Sequence, residues 1–495
     1  MKLMRTAVLL LTVLLLVPVL AACGNPTTDP VNTGDPAAST ASSDQSGDPG
    51  DATTDEAGDG FEPDALPEKL NLDKTLTMLY DLKYSTQEFF AEDTTGEAVN
   101  DAIFRRNANV ENRLGLTVKY EGCEGNDKNQ NVFLKRAQSD VAAGTPEYDI
   151  YAAYSRTIPY LAVNGLCGNL LDTEYFNVSK PWWPQALTDE CTIKGKLLFA
   201  TGDISTNLLW YMSGAFFNQE MWEAARMGYT LYDLVDNNEW VLDKFIEVCK
   251  QFVSGETEAD RIYGMVAYNA CLDAFLNSCG VISIDKDADG NLKLSDDFLG
   301  ERTANIVAKL GTFFNEGYNY HTSSTSADEK AIFYERRSLF VIDGTQIVRN
   351  VGTKIEFDYG LVPLPKYDAD QPGYVTNLRY PYNFYAINKT SENKEESGAL
   401  LEALASESYR SVTPVLFELT MKTRYSQDST TSRMYDILRG GIAFDLGRLF
   451  NYSIGNFYPQ FRNQCIAGGN WSSNAQTIRK STTRLIDALM PIFDD

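Results

Sequence analysis

Apolar residues in the first part of the folded chain follow two different spacings. Residues 76–80 (LTMLY), 116–120 (LTVKY) and 148–153 (YDIYAA) are short apolar runs that predict strands. Between these runs, apolar residues recur four or seven positions apart, as they do on one face of an α-helix: Val99, Ile103, Val110 and Leu114, then Phe133, Ala137 and Val141. Gly115 and Gly144 follow where helices commonly end. This order predicts a parallel sheet covered by helices.

The middle and the end of the chain continue the mixture of strands and helices. Apolar residues between 241 and 252 recur at helical spacing, which predicts a helix with Asn238 as the expected N-terminal cap. Strands are predicted at residues 338–342 (SLFVI), 359–364 (YGLVPL) and 385–388 (YAIN). A helical pattern follows at 397–406, and the rest of the chain is expected to be mainly helical.

The N-terminal segment has the pattern of a secretory signal. Lys2 and Arg5 precede an apolar run at residues 7–20, which is shorter than the ~20 residues that span a bilayer. We assign residues 1–22 to a signal peptide. The sequence LAAC at 20–23 resembles a bacterial lipobox, and this resemblance implies that Cys23 becomes the lipidated N-terminus.

Residues 23–68 have the composition of an unfolded linker. The segment is rich in Gly, Pro, Ser, Thr and Ala, carries eleven acidic residues and contains no Lys or Arg. Such a chain cannot bury enough apolar surface to offset its ordering entropy. We therefore expect a disordered acidic tether between the lipid anchor and the folded part.

Charge and residue usage exclude several classes of function. The formal net charge is −25 at pH 7, which argues against nucleic-acid partners and against direct binding to anionic lipid. The single histidine, His321, makes a histidine zinc site or a Ser-His-Asp triad unfavourable. No cofactor is expected. Of the seven cysteines besides Cys23, most look like core residues, and Cys271 and Cys279 are a candidate pair.

Several segments in order resemble the extracellular solute-binding protein family 1, the lipid-anchored binding subunits of bacterial ABC importers. The most specific is FDYGLVPLPK, which is similar to the Tyr-Gly-x-x-Pro-Leu-Pro-Lys strand of that family. The chain departs from the family's patterns at Gln219, at Val241 and at the pair Arg336-Arg337. The segments that carry the resemblance are residues 148–172, 196–220, 231–252, 333–344 and 357–366.

The resemblance implies an α/β fold of the periplasmic-binding-protein type, with two lobes, a ligand cleft between them and several hinge crossovers. The implied first lobe comprises residues 70–205 and 338–388, and the implied second lobe comprises residues 206–337 and 389–495. Ligands of such folds lie at the ends of parallel strands and at crossover points, and the lobes close around them.

Candidate ligand-binding residues are those that follow predicted strands, together with prominent tryptophans. Carbohydrates suit this set, because pyranose faces stack on aromatic rings and hydroxyls bind planar polar groups. Each aromatic residue has the alternative role of filling the core, and the acids have the alternative role of capping turns. The candidates are Tyr154, Arg156, Trp182, Trp183, Asp203, Asn207, Trp210, Asp343, Tyr382 and Trp471, with Tyr380 and Gln346 nearby.

The segment DKDADGNLKLSD at residues 285–296 has two interpretations. Asp285, Asp287, Asp289 and Asp296 match the spacing of a calcium loop, although Asp296 replaces the usual Glu. Alternatively, the Asp289-Gly290 pair forms the turn of a β-hairpin. We favour the hairpin and assign no metal.

These features predict a binding protein rather than an enzyme. We expect a monomer that captures a small-molecule solute of the sugar class at the extracytoplasmic face of the membrane and delivers it to the transmembrane subunits of an ABC permease. Contact with the membrane would be through the lipid anchor alone. Two alternatives share these features: a secreted glycan-active hydrolase, and a ligand-sensing lipoprotein without a permease.

Overall fold

The computed structural model describes residues 61–84, 88–322, 328–426 and 428–494. The predicted signal peptide, Cys23 and most of the predicted linker lie outside the described residues. The described chain belongs to one compact unit, Gly60–Asp495. Among its helices, none combines the length and the apolar character that a membrane crossing requires.

Strands and helices alternate along most of the chain. The strands are β1 Lys74–Asp81, β2 Leu116–Cys123, β3 Ile150–Tyr154, β4 Ser213–Asn218, β5 Tyr263–Tyr268, β6 Ile284–Lys286, β7 Leu292–Leu294, β8 Asn319–Thr322, β9 Ser338–Gly344, β10 Tyr359–Val362, β11 Thr376–Asn377, β12 Asn383–Ile387 and β13 Ile442–Ala443.

The helices are α1 Ala98–Leu114, α2 Gln130–Ala143, α3 Thr157–Val163, α4 Gln185–Cys191, α5 Asn207–Trp210, α6 Gln219–Ala225, α7 Leu231–Asp236, α8 Leu242–Gln251, α9 Asp273–Ser278, α10 Asp296–Leu299, α11 Glu301–Asn315, α12 Asp328–Tyr334, α13 Lys394–Glu407, α14 Ser429–Gly440, α15 Leu446–Leu449, α16 Tyr458–Ala467, α17 Trp471–Leu489 and α18 Pro491–Asp494. Two π-helical segments, Ser408–Val412 and Pro414–Arg424, continue the chain after α13.

The first sheet has the strand order β12-β3-β1-β2. Strands β1, β2 and β3 are parallel, and β12 runs antiparallel to β3. The predicted strand-helix alternation is therefore confirmed. Helix α1 ends at Gly115, which adopts a left-handed conformation with φ +64° and donates its N–H to Glu111 O. Such a φ favours glycine because it has no Cβ.

The second sheet has the strand order β10-β4-β9-β5-β8. Strands β5, β8 and β9 are parallel, and β4 is antiparallel to both β9 and β10. Every residue of β9 is buried, as expected for a central strand that is covered on both faces. The carboxyl ends of β5 and β9 therefore lie at one edge of this sheet.

Sheet membership differs from the lobe boundaries inferred from the sequence. The first lobe was expected to contain residues 338–388, yet β9 and β10 are hydrogen-bonded within the second sheet. Conversely, α13 was expected in the second lobe and packs on α1 and β12 of the first sheet. The reason is that strand order depends on long-range pairing, which local hydrophobic patterns do not encode.

The predicted linker extends too far. Residues 61–68 lie against the folded unit, and Asp64 forms ion pairs with Arg113 at 2.7 Å and with Arg410 at 3.4 Å. Leu66 is also buried. Burial of this acid and this leucine fixes a stretch whose composition alone suggested disorder.

The cap predicted for helix α8 is wrong. Asn238 lies outside the helix with φ +65° and donates its side-chain N–H to Ala369 O at 2.8 Å. The N-terminus of α8 is instead satisfied by a backbone group, because Leu242 donates its N–H to Lys366 O at 2.7 Å.

The hairpin prediction for residues 285–296 is confirmed. Strands β6 and β7 pair antiparallel, with Ile284 opposite Leu294. Asp287 Oδ1 accepts hydrogen bonds from the backbone N–H groups of Asp289 and Asn291, at 2.9 and 2.8 Å. Within the described part of the chain, no group of three or more His, Cys, Asp or Glu side chains is arranged to hold a metal ion.

The seven cysteines of the described chain are buried, and none of them forms a disulfide. The candidate pair Cys271 and Cys279 is therefore not a disulfide in this structure. Both thiols lie in the core, where a free cysteine behaves as a small apolar residue.

Candidate functional site

A cavity of about 280 Å³ lies where the carboxyl ends of parallel strands from the two sheets approach each other. Arg156 follows β3 of the first sheet, and Tyr268 ends β5 of the second sheet. We call this cavity the cleft. Its charged and aromatic lining residues are Arg156, Tyr268, Asp273, Arg379, Tyr380, Arg448, Tyr458 and Arg462.

Arg156 is held on the first-sheet side by tyrosines. Its Nε and Nη2 donate to Tyr154 Oη at 3.0 and 2.7 Å. Its guanidinium lies 4.7 Å from the ring centre of Tyr380 and 4.9 Å from that of Tyr452. Such cation–π contacts are favourable and keep the guanidinium in place. Tyr154 itself is buried and serves Arg156 as a support.

Tyr380 presents its ring in the middle of this group. It stacks on the buried Tyr382, with ring planes 5° apart and centres 6.1 Å apart. The Arg448 guanidinium lies 4.8 Å from the Tyr380 ring centre, and Tyr380 Oη donates to Arg448 O at 3.2 Å. Tyr382 therefore lies behind Tyr380, and its backbone carbonyl accepts from Ser155 N at 2.8 Å.

Asp273 and Arg462 form the second-sheet wall of the cleft. Asp273 begins α9 directly after the turn that follows β5. Its Oδ1 lies 2.9 Å from Arg462 Nε. Burial raises the pKa of Asp273, while the charges of Arg462, Arg448 and Arg156 lower it. The net result is a raised pKa for a carboxyl group that faces several arginines.

The family assignment follows from the sequence and agrees with this arrangement. The family model for bacterial extracellular solute-binding proteins matches residues 97–410. The chain belongs to this family. Among curated proteins, none matches its sequence.

Solved structures of sugar-binding proteins share the fold of this solute-binding protein. The sugar-binding protein MalE from Xanthomonas citri has a TM-score of 0.59 at 13% identity, covering 85% of this chain and 99% of its own. The galacto-N-biose-/lacto-N-biose I-binding protein of the ABC transporter from Bifidobacterium longum has a TM-score of 0.57 at 12% identity, covering 84% and 97%.

A third relative is the extracellular solute-binding protein from Staphylococcus aureus in complex with maltose. Its TM-score is 0.53 at 13% identity, and the match covers 85% of this chain and 99% of the other. These are two-lobe proteins, so the α/β two-lobe fold expected from the sequence is confirmed.

Asp343 lies at the end of β9, and its carboxylate is already occupied by ion pairs and a hydrogen bond with neighbouring side chains. It is 1% exposed. It pairs with Arg379 and with Lys330 Nζ at 2.5 Å, and Gln346 Nε2 donates to its Oδ1 at 3.1 Å. In the solute-binding protein, Asp343 therefore holds Arg379 at the edge of the cleft and has little capacity left for a ligand.

Asp203 lies in a second cavity, of about 290 Å³, and not in the cleft. Arg439 is its nearest charged partner, at 3.8 Å. Burial raises the pKa of Asp203 to about 6, against the opposing effects of Arg439 and a hydrogen bond from Thr413. The lining of this cavity mixes these groups with Leu208, Leu209 and other apolar side chains.

Asn207 and Trp210 lie on helix α5, and both contact residues that are not part of the cleft lining. Asn207 forms a side-chain hydrogen bond with the buried carboxyl of Glu88. Trp210 is 4% exposed, and the Arg349 guanidinium lies 4.0 Å from its ring centre. The structure does not bring either residue to the cleft.

Trp182 and Trp183 are core residues, which corrects their assignment as ligand contacts. They are 0% and 2% exposed. Their indole N–H groups donate to the two carboxylate oxygens of Glu402, at 3.1 and 2.8 Å. A buried indole with a satisfied N–H has no surface for a sugar, so the alternative of core packing applies here.

Trp471 is also part of the core. It is 2% exposed, and its indole N–H donates to Phe298 O at 2.9 Å. Its ring packs edge-on against Phe298, with centres 5.2 Å apart. It therefore joins helix α17 to α10, and we do not retain it as a ligand contact.

Sequence reasoning missed six of the charged and aromatic residues that line the cleft. The apolar run at residues 263–268 (YGMVAY) is the signal that could have located the strand end at Tyr268. No comparable signal marks the others, because they lie on short helices or in loops. The missed residues are Tyr268, Asp273, Arg379, Arg448, Tyr458 and Arg462.

Proposed function

We propose that this protein is the extracytoplasmic binding subunit of an ABC importer, held at the membrane by lipid on Cys23. In this role it captures a carbohydrate or related polar solute and delivers it to a permease, as a monomer and without altering the solute. The family supports an extracellular role. The permease partner, the anchor and the class of solute are part of the proposal.

The observation that carries the proposal is the composition of the cleft. Tyr268 and Tyr380, which are both partly exposed, supply aromatic surface, and the arginines supply planar donors. Pyranose rings have apolar faces that suit the former and hydroxyl groups that suit the latter. The relatives described as binding maltose and lacto-N-biose support a sugar as the solute.

The position of the cleft supports closure around the solute. Its walls come from both sheets, and the chain passes between the sheets after β3, between β10 and β12, and again beyond α13. We propose that these passages are the hinges and that β9 and β10 move with the second lobe. Because several such passages connect the lobes, the motion that they allow is a rotation of one lobe against the other.

The cleft favours binding over hydrolysis. Glycoside hydrolysis generally requires a pair of carboxyl groups that flank the scissile bond. Among the described residues that line the cleft, Asp273 is the single carboxylate, and it is paired with Arg462. This composition supports a binding protein.

A glycan panel tests the proposal. At 100 times its dissociation constant, a bound solute adds about 2.7 kcal/mol to the free energy of unfolding. We expect at least one mono- or oligosaccharide to raise the melting temperature, and chromatography of the same mixtures to show no new product. A shift with peptides and none with glycans would refute the sugar, and appearance of products would refute simple binding.

A further inference from the structure

The cleft contains more positive charge than its own carboxylates balance. Four arginines line it, together with the single carboxylate of Asp273. Arg462 is paired with Asp273, and Arg379 is paired with Asp343. The remaining two, Arg156 and Arg448, form no ion pair with any carboxylate in the described part of the chain.

The contacts of these two arginines are with neutral groups. Arg156 donates to a tyrosine hydroxyl and lies against three tyrosine rings. Arg448 is 8% exposed and donates to the side-chain oxygen of Asn377. Hydroxyl, amide and aromatic groups hold a guanidinium in position but contribute no negative formal charge.

Both guanidinium groups converge on one ring. They lie 4.7 and 4.8 Å from the centre of Tyr380, so they are no further apart than the sum of these distances. Asp273 is the acid whose charge interacts with both guanidinium groups, and Asp445 lies behind Tyr458. Asp273 is already engaged by Arg462, and Asp445 Oδ2 accepts from Tyr458 Oη at 2.7 Å and from Ser283 N at 2.8 Å.

Two like charges that share one partly buried cleft carry an electrostatic cost that a bound anion relieves. Guanidinium groups match carboxylates especially well, since two parallel N–H donors face two oxygens. The local charge is also opposite to that of the whole chain, whose formal net charge is −25. General surface charge therefore does not explain this cluster.

We propose that the cleft selects an acidic saccharide, whose carboxylate binds Arg156 and Arg448 while its ring lies against the tyrosines. This inference rests on the proposed function and narrows it to sugars of the uronic acid class. The tyrosines provide the sugar surface, and the two arginines provide the preference for the acid.

Matched pairs of sugars test this selection on the unmodified protein. Digalacturonate carries a carboxylate at C6 of each sugar ring, where galactobiose of the same linkage carries a hydroxymethyl group. Equivalent pairs exist in the glucose and mannose series. We expect calorimetry to show one uronate that binds at least about tenfold more tightly than its neutral partner. Acetate and sulfate, as free anions, should bind far more weakly.

The outcomes separate the two levels of the proposal. A neutral sugar that binds as tightly as its uronate overturns the acidic preference and leaves the proposed function standing. Acetate or sulfate that binds as tightly as the uronate shows an anion site without sugar recognition and also overturns the inference. Failure of every sugar on both panels overturns the proposed function itself.

Variants locate the preference. Arg156→Gln and Arg448→Gln should each weaken uronate binding about tenfold or more, and should weaken neutral-sugar binding, which loses only a donor to a hydroxyl group, by a clearly smaller factor. Arg448→Lys keeps the charge but loses the planar pair of N–H donors, so its affinity for the uronate should lie between those of the unmodified protein and Arg448→Gln. Arg484→Gln, on the exposed face of α17, removes one positive charge away from the cleft and should change neither affinity. Equal loss for both sugars would show a structural role and contradict the assignment.

Discussion

At the residue scale, two carboxyl groups near one another have pKa values shifted in opposite directions. Burial raises the pKa of Glu402 to about 7, although the two indoles and Asn177 N–H donate to it. Burial also acts on Asp64, but hydrogen bonds from Arg113 and Ser406 and the charges of the arginines lower its pKa to about 2. Neutral donors do not compensate a buried charge as fully as cations do.

The raised pKa of Glu402 predicts a loss of stability at higher pH. The unfolded chain releases this proton near pH 4.5 and the folded chain only near pH 7, so ionisation costs folding free energy across this interval. We expect the free energy of unfolding to fall by about 3 kcal/mol more in the wild type than in Glu402→Gln between pH 5 and pH 8.

Urea titrations at several pH values measure this difference. Glu402→Gln loses one acceptor for the indoles, so its stability at pH 5 is expected to be lower than that of the wild type. Parallel pH profiles for the two proteins would contradict the assignment, whatever their absolute stabilities.

At the scale of elements, α1 and α2 end in the same way but in different surroundings. Gly115 and Gly144 both have positive φ, +64° and +75°. A Cβ on Gly115 would lie 2.9 Å from Asn71 Cα, whereas a Cβ on Gly144 would have nothing within 4 Å. The first helix end therefore needs glycine for both conformation and space, and the second for conformation alone.

This contrast gives a matched pair of variants. Gly144→Ala should lower the free energy of unfolding by about 1 kcal/mol, which is the cost of a left-handed conformation for a residue with Cβ. Gly115→Ala should cost roughly 2–3 kcal/mol, since the new methyl group also displaces the backbone before β1. Chemical denaturation of both variants measures the difference, and equal losses would show that the close approach to Asn71 is unimportant.

At the scale of the whole molecule, Asp64 fastens the start of the described chain to three distant elements. Its oxygens accept from Arg113 at the end of α1, from Ser406 in α13 and from Arg410 in the following π-helical segment. Its side chain is 3% exposed. A residue from the predicted linker thus joins segments that are far apart in sequence.

Asp64→Asn tests this fastening. The substitution removes the carboxylate that pairs with Arg113 at 2.7 Å, so we expect the free energy of unfolding to fall by about 1–3 kcal/mol at pH 7. Because the folded pKa of Asp64 is depressed, its stabilisation is present above about pH 4 and fades as the pH falls toward 2. The two proteins should therefore converge in acid, and limited proteolysis at neutral pH should cut the variant faster near residue 64. A constant difference across this range would contradict the ion-pair explanation.

Sequence patterns located the elements better than they located the site. Local hydrophobic spacing predicts strands β1, β9 and β12 and helix α1, because a buried helix face or a buried strand leaves a pattern of apolar residues in the neighbouring sequence. The cleft depends on which strand ends meet, and this is decided by pairings such as β5 with β9 across many residues. Strand-end reasoning therefore found Arg156 but could not find Arg448, which a short helix brings to the same ring.

The attachment of Asp64 also determines how a mechanical load enters the molecule. Any tension along the preceding chain is delivered first to α1 and α13, which cover the first sheet. The strands of the second sheet take no part in these contacts of Asp64, so a load would reach that sheet only through the rest of the fold. Under the proposed hinge motion, an anchored N-terminus would therefore hold the first lobe while the second lobe rotates.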